Sequence, residues 1–275
     1  MKLGAAYIVF DGEELLKSSI IQIRNQVDEI IVIYQSQSWF GDKPASSLLS
    51  TLNSLVKEGL IDKLIEFKDF QPRVNKTRED ILIVKDFERR KRQLGLDLAL
   101  STGCTHYLCL DVDEFYTTDE FKKAKDLIIQ NGYTATSVPF INYVNLPTVH
   151  RGYDPNRVPF ICKIDKSSQM VRNFFVRCDP TRGISNCLQV THDFDPSIIT
   201  MHHMETVRKD LTLKYSATTR GIFDRTKTPE LVNKISDVSQ NSETFDFNRI
   251  IFPGVVQAKL THCENKFNID YESWK

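Results

Sequence analysis

Over the first 116 residues, short apolar runs alternate with longer amphipathic stretches, and no other feature constrains the fold as strongly. Apolar runs at 4–10, 29–34, 62–67 and 106–110 predict strands, and stretches at 13–26, 46–58 and 80–101 predict helices. Strands that alternate with helices build βαβ units around a mostly parallel sheet. The sequence therefore predicts an α/β fold with a Rossmann-like first half.

The second half of the chain has a different pattern. After a predicted helix at 119–130, strands are predicted at 133–143, 158–164, 171–177 and 198–204 without regular helices between them. Helical patterns return at 206–220 and 229–238. We expect one domain over residues 1–275, with strands of mixed direction in its second half.

The most informative motif is LCLDVDEFY at 108–116, where Asp111 and Asp113 follow an apolar strand at alternate positions. Open α/β sheets bind their ligands at the carboxyl ends of strands. Mg²⁺ and Mn²⁺ prefer oxygen ligands, and one or two carboxylates plus substrate phosphates are enough to hold Mg²⁺. The motif therefore predicts a site for a divalent cation and a diphosphate. The alternative interpretation is a solvated loop or a helix cap.

This motif, its place after a βαβαβ segment, and KRQLG at 91–95 together resemble the GT-A glycosyltransferases, especially the family-two-like group. The resemblance covers residues 4–116 by element order and is clear in local motif only around 90–116. It implies a GT-A fold in which residues 1–116 bind a nucleotide sugar and residues 117–275 form the acceptor half with C-terminal helices. The implied activity is metal-dependent transfer of a hexosyl or deoxyhexosyl group to a glycan or other hydroxyl acceptor.

The resemblance also implies which residues form the site. Donor contacts are expected from Phe10, Asp11, Gly12, Gln35, Arg92, Asp111, Val112 and Asp113. The expected ligands of Mn²⁺ or Mg²⁺ are Asp111, Asp113 and His203. His202 and His203 are adjacent on a predicted strand, so their side chains point in opposite directions, and we favour His203 as the one that faces the site.

An inverting transferase also needs a carboxylate that deprotonates the acceptor hydroxyl. Asp193 and Glu205 are our candidates because both lie after the donor half. Asp179 and Asp195 each precede proline, which a turn explains equally well. A retaining enzyme would need no such base, so the stereochemical outcome stays open.

Charge and cysteine content narrow the choice of function. The chain has 36 basic and 36 acidic residues, and this neutral balance argues against nucleic acid as a partner. Its six cysteines include no CxxC pair, which argues against structural zinc. The first apolar run meets Asp11 too soon for a signal peptide or a membrane span, so we expect a cytoplasmic protein. The sequence leaves the oligomeric state open.

Two other classes of function remain as alternatives. A Mg²⁺-dependent phosphotransferase or phosphatase of the haloacid dehalogenase type also carries Asp-x-Asp at a strand end, although earlier in its chain. A nucleotide-binding module without catalytic activity is the other. For the transferase, Asp113→Ala is expected to abolish transfer and leave the fold nearly intact, because a surface carboxylate adds little to a core.

Overall fold

The computed structural model describes residues 1–77, 79–218, 228–248 and 255–274. The first half consists of β1 (Leu3–Val9), α1 (Glu13–Ile23), β2 (Glu29–Tyr34), α2 (Leu48–Lys57), β3 (Lys63–Glu66), α3 (Asp80–Ser101) and β4 (His106–Asp111). Every element predicted in this half is present, with ends displaced by a few residues. Apolar runs buried on both faces identify the strands, since β1, β2 and β4 are buried along almost their whole length.

The second half is built mainly from short strands. Its elements are β5 (Glu114–Phe115), α4 (Thr118–Asn131), β6 (Ala135–Val138), β7 (Phe140–Val144), β8 (Leu146–Tyr153), β9 (Val158–Lys163), β10 (Met170–Val171), β11 (Gly183–Ile184), β12 (Thr191–Asp193), β13 (Met201–His203), α5 (Leu211–Ala217), α6 (Thr228–Ser236), β14 (Thr244–Asn248), β15 (Val255–Lys259) and β16 (Thr261–His262). Short 3₁₀ turns lie at Arg24–Gln26 and Tyr271–Trp274.

Two sheets organise these elements. The large sheet has seven strands in the order β12-β6-β9-β4-β1-β2-β3, and β4, β1, β2 and β3 run parallel. β9 is antiparallel to both of its neighbours. The small sheet has five strands in the order β16-β8-β7-β13-β5. The predicted α/β class, with a mostly parallel sheet and a mixed second half, is confirmed.

Several predicted boundaries in the second half are wrong. The strand predicted at 133–143 is divided at Pro139, so that β6 belongs to the large sheet and β7 to the small one. The helix predicted at 206–220 begins at Leu211, because Asp210 caps it by accepting a hydrogen bond from the Leu213 amide. Its predicted end at Arg220 lies outside the described residues. Residues 206–210 lie outside the helix, and the Val207 amide donates to the Met204 carbonyl oxygen over 3.0 Å in a turn that precedes it.

Helix α3 lies close against the large sheet at Gly95. A Cβ at this position would be 2.6 Å from the Tyr107 hydroxyl and 2.8 Å from the Ala6 Cβ. Only glycine allows this approach without displacement of a neighbour. The close packing brings Lys91 and Arg92, one turn earlier on α3, to the carboxyl ends of β1 and β4.

Candidate active site

Asp113 lies in the turn between β4 and β5 and is held by two basic side chains. Arg208 donates to Asp113 Oδ2 over 2.5 Å, and Lys214 Nζ lies 3.0 Å from the same oxygen. Burial alone would raise the pKa of Asp113, but the charges of Lys214 and Arg208 outweigh burial and hold this pKa well below its usual range. The side chain is only 2% exposed, so the expectation that Asp113 is a surface carboxylate is wrong.

Asp111 has different partners. Arg92 Nη2 lies 2.9 Å from Asp111 Oδ1, and Arg182 binds the other carboxylate oxygen. Arg182 also donates through Nη1 to Glu114 Oε2 over 2.9 Å. The sequence analysis missed Arg182, because it lies in an irregular segment 71 residues after Asp111 and no local pattern connects the two.

Gly12 makes room for Arg208. Gly12 has a φ of +76°, and a Cβ on it would lie 1.3 Å from Arg208 Nη1. The guanidinium thus rests directly on the turn between β1 and α1. Within the described part of the chain, Asp11 Oδ2 and Arg208 Nη1 are buried without a hydrogen-bond partner. Such unpaired polar atoms are rare in folded proteins and are expected to find a partner when a ligand binds.

Gln35 and Lys91 bond to each other beneath the site. Lys91 Nζ donates to the Val9 carbonyl oxygen over 2.8 Å and to Gln35 Oε1 over 2.9 Å, while Gln35 Nε2 donates to the Gln37 carbonyl oxygen. Burial, followed by the charge of Arg92, lowers the pKa of Lys91 to about 7. Lys91 Nζ thus makes both of its hydrogen bonds to oxygen atoms of the protein. The Gln35 side chain therefore positions Lys91, and its polar atoms are already bonded within the protein.

The two histidines point in opposite directions, as predicted for adjacent strand residues. His202 Nδ1 lies 2.9 Å from the Tyr143 hydroxyl, and burial, followed by the charge of Lys266, lowers the pKa of His202 to about 3. His203 turns toward the site, where its Nε2 lies 3.8 Å from Asp113 Oδ2. His203 Nδ1 lies 2.9 Å from Asn142 Oδ1.

The predicted set of three metal ligands is not assembled. Among the described residues, no three His, Cys, Asp or Glu side chains form a group that could hold a metal ion. Each aspartate is instead paired with two basic side chains, Asp111 with Arg92 and Arg182, and Asp113 with Arg208 and Lys214. Asp113 and His203 do fit a divalent cation in their donor chemistry, because a ligating histidine commonly bonds through its other ring nitrogen to a protein oxygen. Substrate phosphates and water usually complete a site of this kind.

Two clefts meet at Asp111 and Asp113. The smaller cleft, of about 150 Å³, lies over the ends of β1, β2 and β4. Of the residues predicted to bind the donor, it is lined by Phe10, Asp11, Gln35, Arg92, Asp111, Val112 and Asp113. The larger cleft, of about 510 Å³, extends across the small sheet and is lined by His203 and Glu205 among others.

Asp193, predicted as a catalytic base, lies outside both clefts. It belongs to the edge strand β12, where its Oδ1 accepts from Ser137 Oγ over 2.5 Å and from Arg157 Nε over 2.7 Å. These bonds attach the edge strand to β6 and to the start of β9. Asp193 therefore joins elements of the fold, and it is not brought together with the other predicted residues.

The structure was compared with known proteins. No protein-family model and no curated protein matches the chain. Similar solved structures include Staphylococcus aureus TarS, with 13% identity over 52% of this chain and 22% of that chain and a TM-score of 0.35. GalNAc-T7 with UDP, GalNAc and Mn²⁺ is similar at 15% identity over 52% of this chain and 24% of that chain, with a TM-score of 0.35. TarS residues 1–349 match at 8% identity over 84% of this chain and 69% of that chain, with a TM-score of 0.42.

The chain spans only about a quarter of the length of TarS and of GalNAc-T7. In the described part of the chain, no helix combines the length and the apolar character needed to cross a membrane.

Proposed function

We propose that the chain is a GT-A glycosyltransferase that moves a sugar from a nucleoside diphosphate to a hydroxyl acceptor. One observation carries this proposal. Four basic side chains, Arg92, Arg182, Arg208 and Lys214, converge on two aspartates at the carboxyl end of a parallel sheet, where two clefts meet. The smaller cleft would hold the nucleotide and the larger cleft the sugar and its acceptor.

The charged side chains around Asp111 and Asp113 fit a diphosphate together with a divalent cation. These four basic side chains already interact with four carboxylates, those of Asp11, Asp111, Asp113 and Glu114. A bound diphosphate would therefore bring negative charge that the protein does not neutralise. Mn²⁺ or Mg²⁺ at Asp113 and His203 would supply the missing positive charge and act as a Lewis acid on the leaving group.

The basic residues would stabilise the departing nucleoside diphosphate. Arg208 is placed against the turn after β1, where its unpaired Nη1 can donate to a phosphate oxygen once the side chain adjusts. Asp11, with an unpaired Oδ2, would accept a hydrogen bond from a nucleoside hydroxyl or N–H group. Preorganised donors of this kind act on charge that develops in the transition state. Glu205 lines the larger cleft and stays a candidate for catalysis.

Phosphotransfer fits the site less well. A phosphotransferase of the haloacid dehalogenase type would use Asp111, the first aspartate, as its nucleophile. Both oxygens of Asp111 accept hydrogen bonds from arginine, which stabilises the carboxylate and weakens it as a nucleophile. A binding module without activity would not need the larger cleft next to the diphosphate site.

A thermal-shift and calorimetric screen tests this proposal. UDP, GDP, CDP and ADP would each be added with Mn²⁺, Mg²⁺ or EDTA, and the matching nucleosides and monophosphates serve as controls. At a hundred times its Kd, a ligand stabilises the native state by about 2.7 kcal/mol. We expect one diphosphate to stabilise the protein only when metal is present. Failure of all four diphosphates to bind with either metal would contradict the proposal.

A further inference from the structure

Four polar side chains form a row across the small sheet, on the side that faces the larger cleft. In strand register, His203 of β13 is paired with Glu114 of β5 and with Asn142 of β7. Asp154 directly follows β8, and its amide donates to the Phe140 carbonyl oxygen of β7 over 2.9 Å. The row begins at Asp113, which directly precedes β5 and lies next to His203. It continues through His203 and Asn142 and ends at Asp154. All four residues line the larger cleft.

Hydrogen-bonding rules fix the direction of the bonds in this row. Asn142 Nδ2 donates to Asp154 Oδ2 over 3.3 Å, because a carboxylate only accepts. Asn142 Oδ1 must then face His203, and it accepts the proton of His203 Nδ1 over 2.9 Å. His203 Nε2 lies on the side of Asp113, 3.8 Å from Asp113 Oδ2. The row therefore has a possible ligand nitrogen, His203 Nε2, at the end where the sugar donor would bind. It has the Asp154 carboxylate at the other end.

Most carboxylates of the larger cleft are unsuitable as bases, because a cation holds them. Glu88 pairs with Lys85, and Asp179 lies 3.6 Å from the same lysine. Burial alone would raise the pKa of Asp179, but Lys85, followed by Arg92 and Arg182, holds that pKa far below its usual range. The three carboxylates of the acidic motif pair with arginine or lysine, as described above.

Asp154 is different, because its hydrogen bonds in the described structure come from neutral groups. Oδ1 accepts from the Asn156 amide and from Asn156 Nδ2, both over 2.9 Å, and Oδ2 accepts only the longer bond from Asn142. No described lysine or arginine lies within ion-pair distance of it. Oδ2 thus has free acceptor capacity, and Asp154 lines the larger cleft.

We propose that Asp154 is the catalytic base that deprotonates the acceptor; this inference rests on the proposed glycosyltransferase function. Asp154 takes the proton of the acceptor hydroxyl as that oxygen forms a bond to the anomeric carbon. The bond between the anomeric carbon and the phosphate oxygen breaks, and its electron pair leaves with the nucleoside diphosphate. Three strand spacings of about 4.8 Å separate β5 from β8, so about 14 Å lies between the two ends of the row. This span leaves room for the donor sugar and the acceptor oxygen.

The strongest competing explanation is that Asp154 only stabilises a turn. Residues 154–156 read Asp-Pro-Asn, and the bond from Asp154 Oδ1 to the Asn156 amide is typical of an Asx turn. The chain contains a matched control for this role. Residues 195–197 read Asp-Pro-Ser, and Asp195 Oδ1 accepts from the Ser197 amide over the same 2.9 Å. Asp195 is exposed and does not line the larger cleft.

The test compares D154N, D195N and E205Q with the unmodified protein. UDP-GlcNAc, UDP-glucose, UDP-galactose and GDP-mannose are the donors, with Mn²⁺ present and water as the acceptor. Calorimetry gives the Kd of each donor, and a coupled assay gives the rate of nucleoside diphosphate release. We expect D154N to release nucleotide at least about 100-fold more slowly, since general base catalysis contributes 10²–10⁴-fold, and to bind the donor within twofold of the unmodified protein. D195N should match the unmodified protein in both measurements.

Each other outcome contradicts the inference in a distinguishable way. If D154N turns over within threefold of the unmodified protein, Asp154 is not the base. The same conclusion follows if E205Q alone loses turnover, or if D154N loses donor binding together with its rate. If the unmodified protein neither binds nor cleaves any of the donors, the proposed function itself fails and the inference fails with it.

Discussion

Arg208 Nη2 donates to Asp113 Oδ2 over 2.5 Å, and each of these side chains is only 2% exposed. The two residues are 95 positions apart in the sequence. A pair buried this deeply is stable only while both charges are present. The aspartate proposed to bind a metal therefore also supports the turn that carries Arg208.

Asp113→Ala should destabilise the protein substantially. The substitution leaves Arg208 and Lys214 without their shared carboxylate, and removing one partner of a buried ion pair costs about 3–5 kcal/mol. Urea unfolding followed by circular dichroism measures this change. Asp195→Ala, at an exposed aspartate, is the control and should cost less than about 1 kcal/mol. Equal losses in both variants would mean that Asp113 does not stabilise the fold.

Gly12→Ala should weaken nucleotide binding through Arg208. The new Cβ would overlap Arg208 Nη1, and alanine at a φ of +76° is also strained. Gly59 is a matched control, because its φ is +72° and nothing lies within 4 Å of a Cβ placed there. We expect Gly12→Ala to raise the Kd for the nucleoside diphosphate at least about tenfold, equivalent to 1.4 kcal/mol, and Gly59→Ala to leave it unchanged. Equal effects of the two variants on Kd would contradict this account.

The stability contributed by Lys91 should rise with pH. Burial, followed by the charge of Arg92, lowers the pKa of Lys91 to about 7, whereas the value in an unfolded chain is about 10.4. Between these values the unfolded chain binds a proton that the folded protein does not, so stability increases with pH and is lost as the pH falls toward 7. The unfolding free energy of the unmodified protein, minus that of Lys91→Met, should therefore increase from pH 7 to pH 9. A difference that does not change with pH would show that Lys91 stays charged.

Transfer should invert the anomeric configuration. A base at Asp154 activates the acceptor for direct attack on the anomeric carbon, from the side opposite the leaving phosphate. Proton NMR of the first free sugar formed from an α-linked donor should show the β anomer, before the two anomers equilibrate. The α anomer as the first product would contradict a single displacement and the role of Asp154.

The first half of the chain could be predicted well from the sequence, because strands buried on both faces give continuous apolar runs. The strand before Asp111 is the clearest case. The smaller cleft also follows from chain order, since parallel strands place their carboxyl ends at one edge. The alternation of side chains along a strand predicted that only one of His202 and His203 would face the site.

The second half of the chain could not be predicted to the same degree, because long-range contacts determine its structure. Arg182 reaches Asp111 from an irregular segment, and Asp154 is aligned with His203 only through the pairing of β7, β8 and β13. Asp193 was chosen for its place in the sequence, and the sheet puts it on an outer edge. No local sequence pattern predicts which strands will be neighbours in a mixed sheet.

Isotope labelling that identifies which bond of the nucleotide sugar is broken tests the central claim most directly. The nucleotide sugar that binds best in the screen would be incubated with the protein and metal in water enriched in ¹⁸O, and the products would be analysed by mass spectrometry. A glycosyltransferase cleaves the bond between the anomeric carbon and oxygen, so we predict ¹⁸O in the released sugar and none in the nucleoside diphosphate. Label in a phosphate product instead would identify a phosphotransferase or phosphatase and would contradict the account.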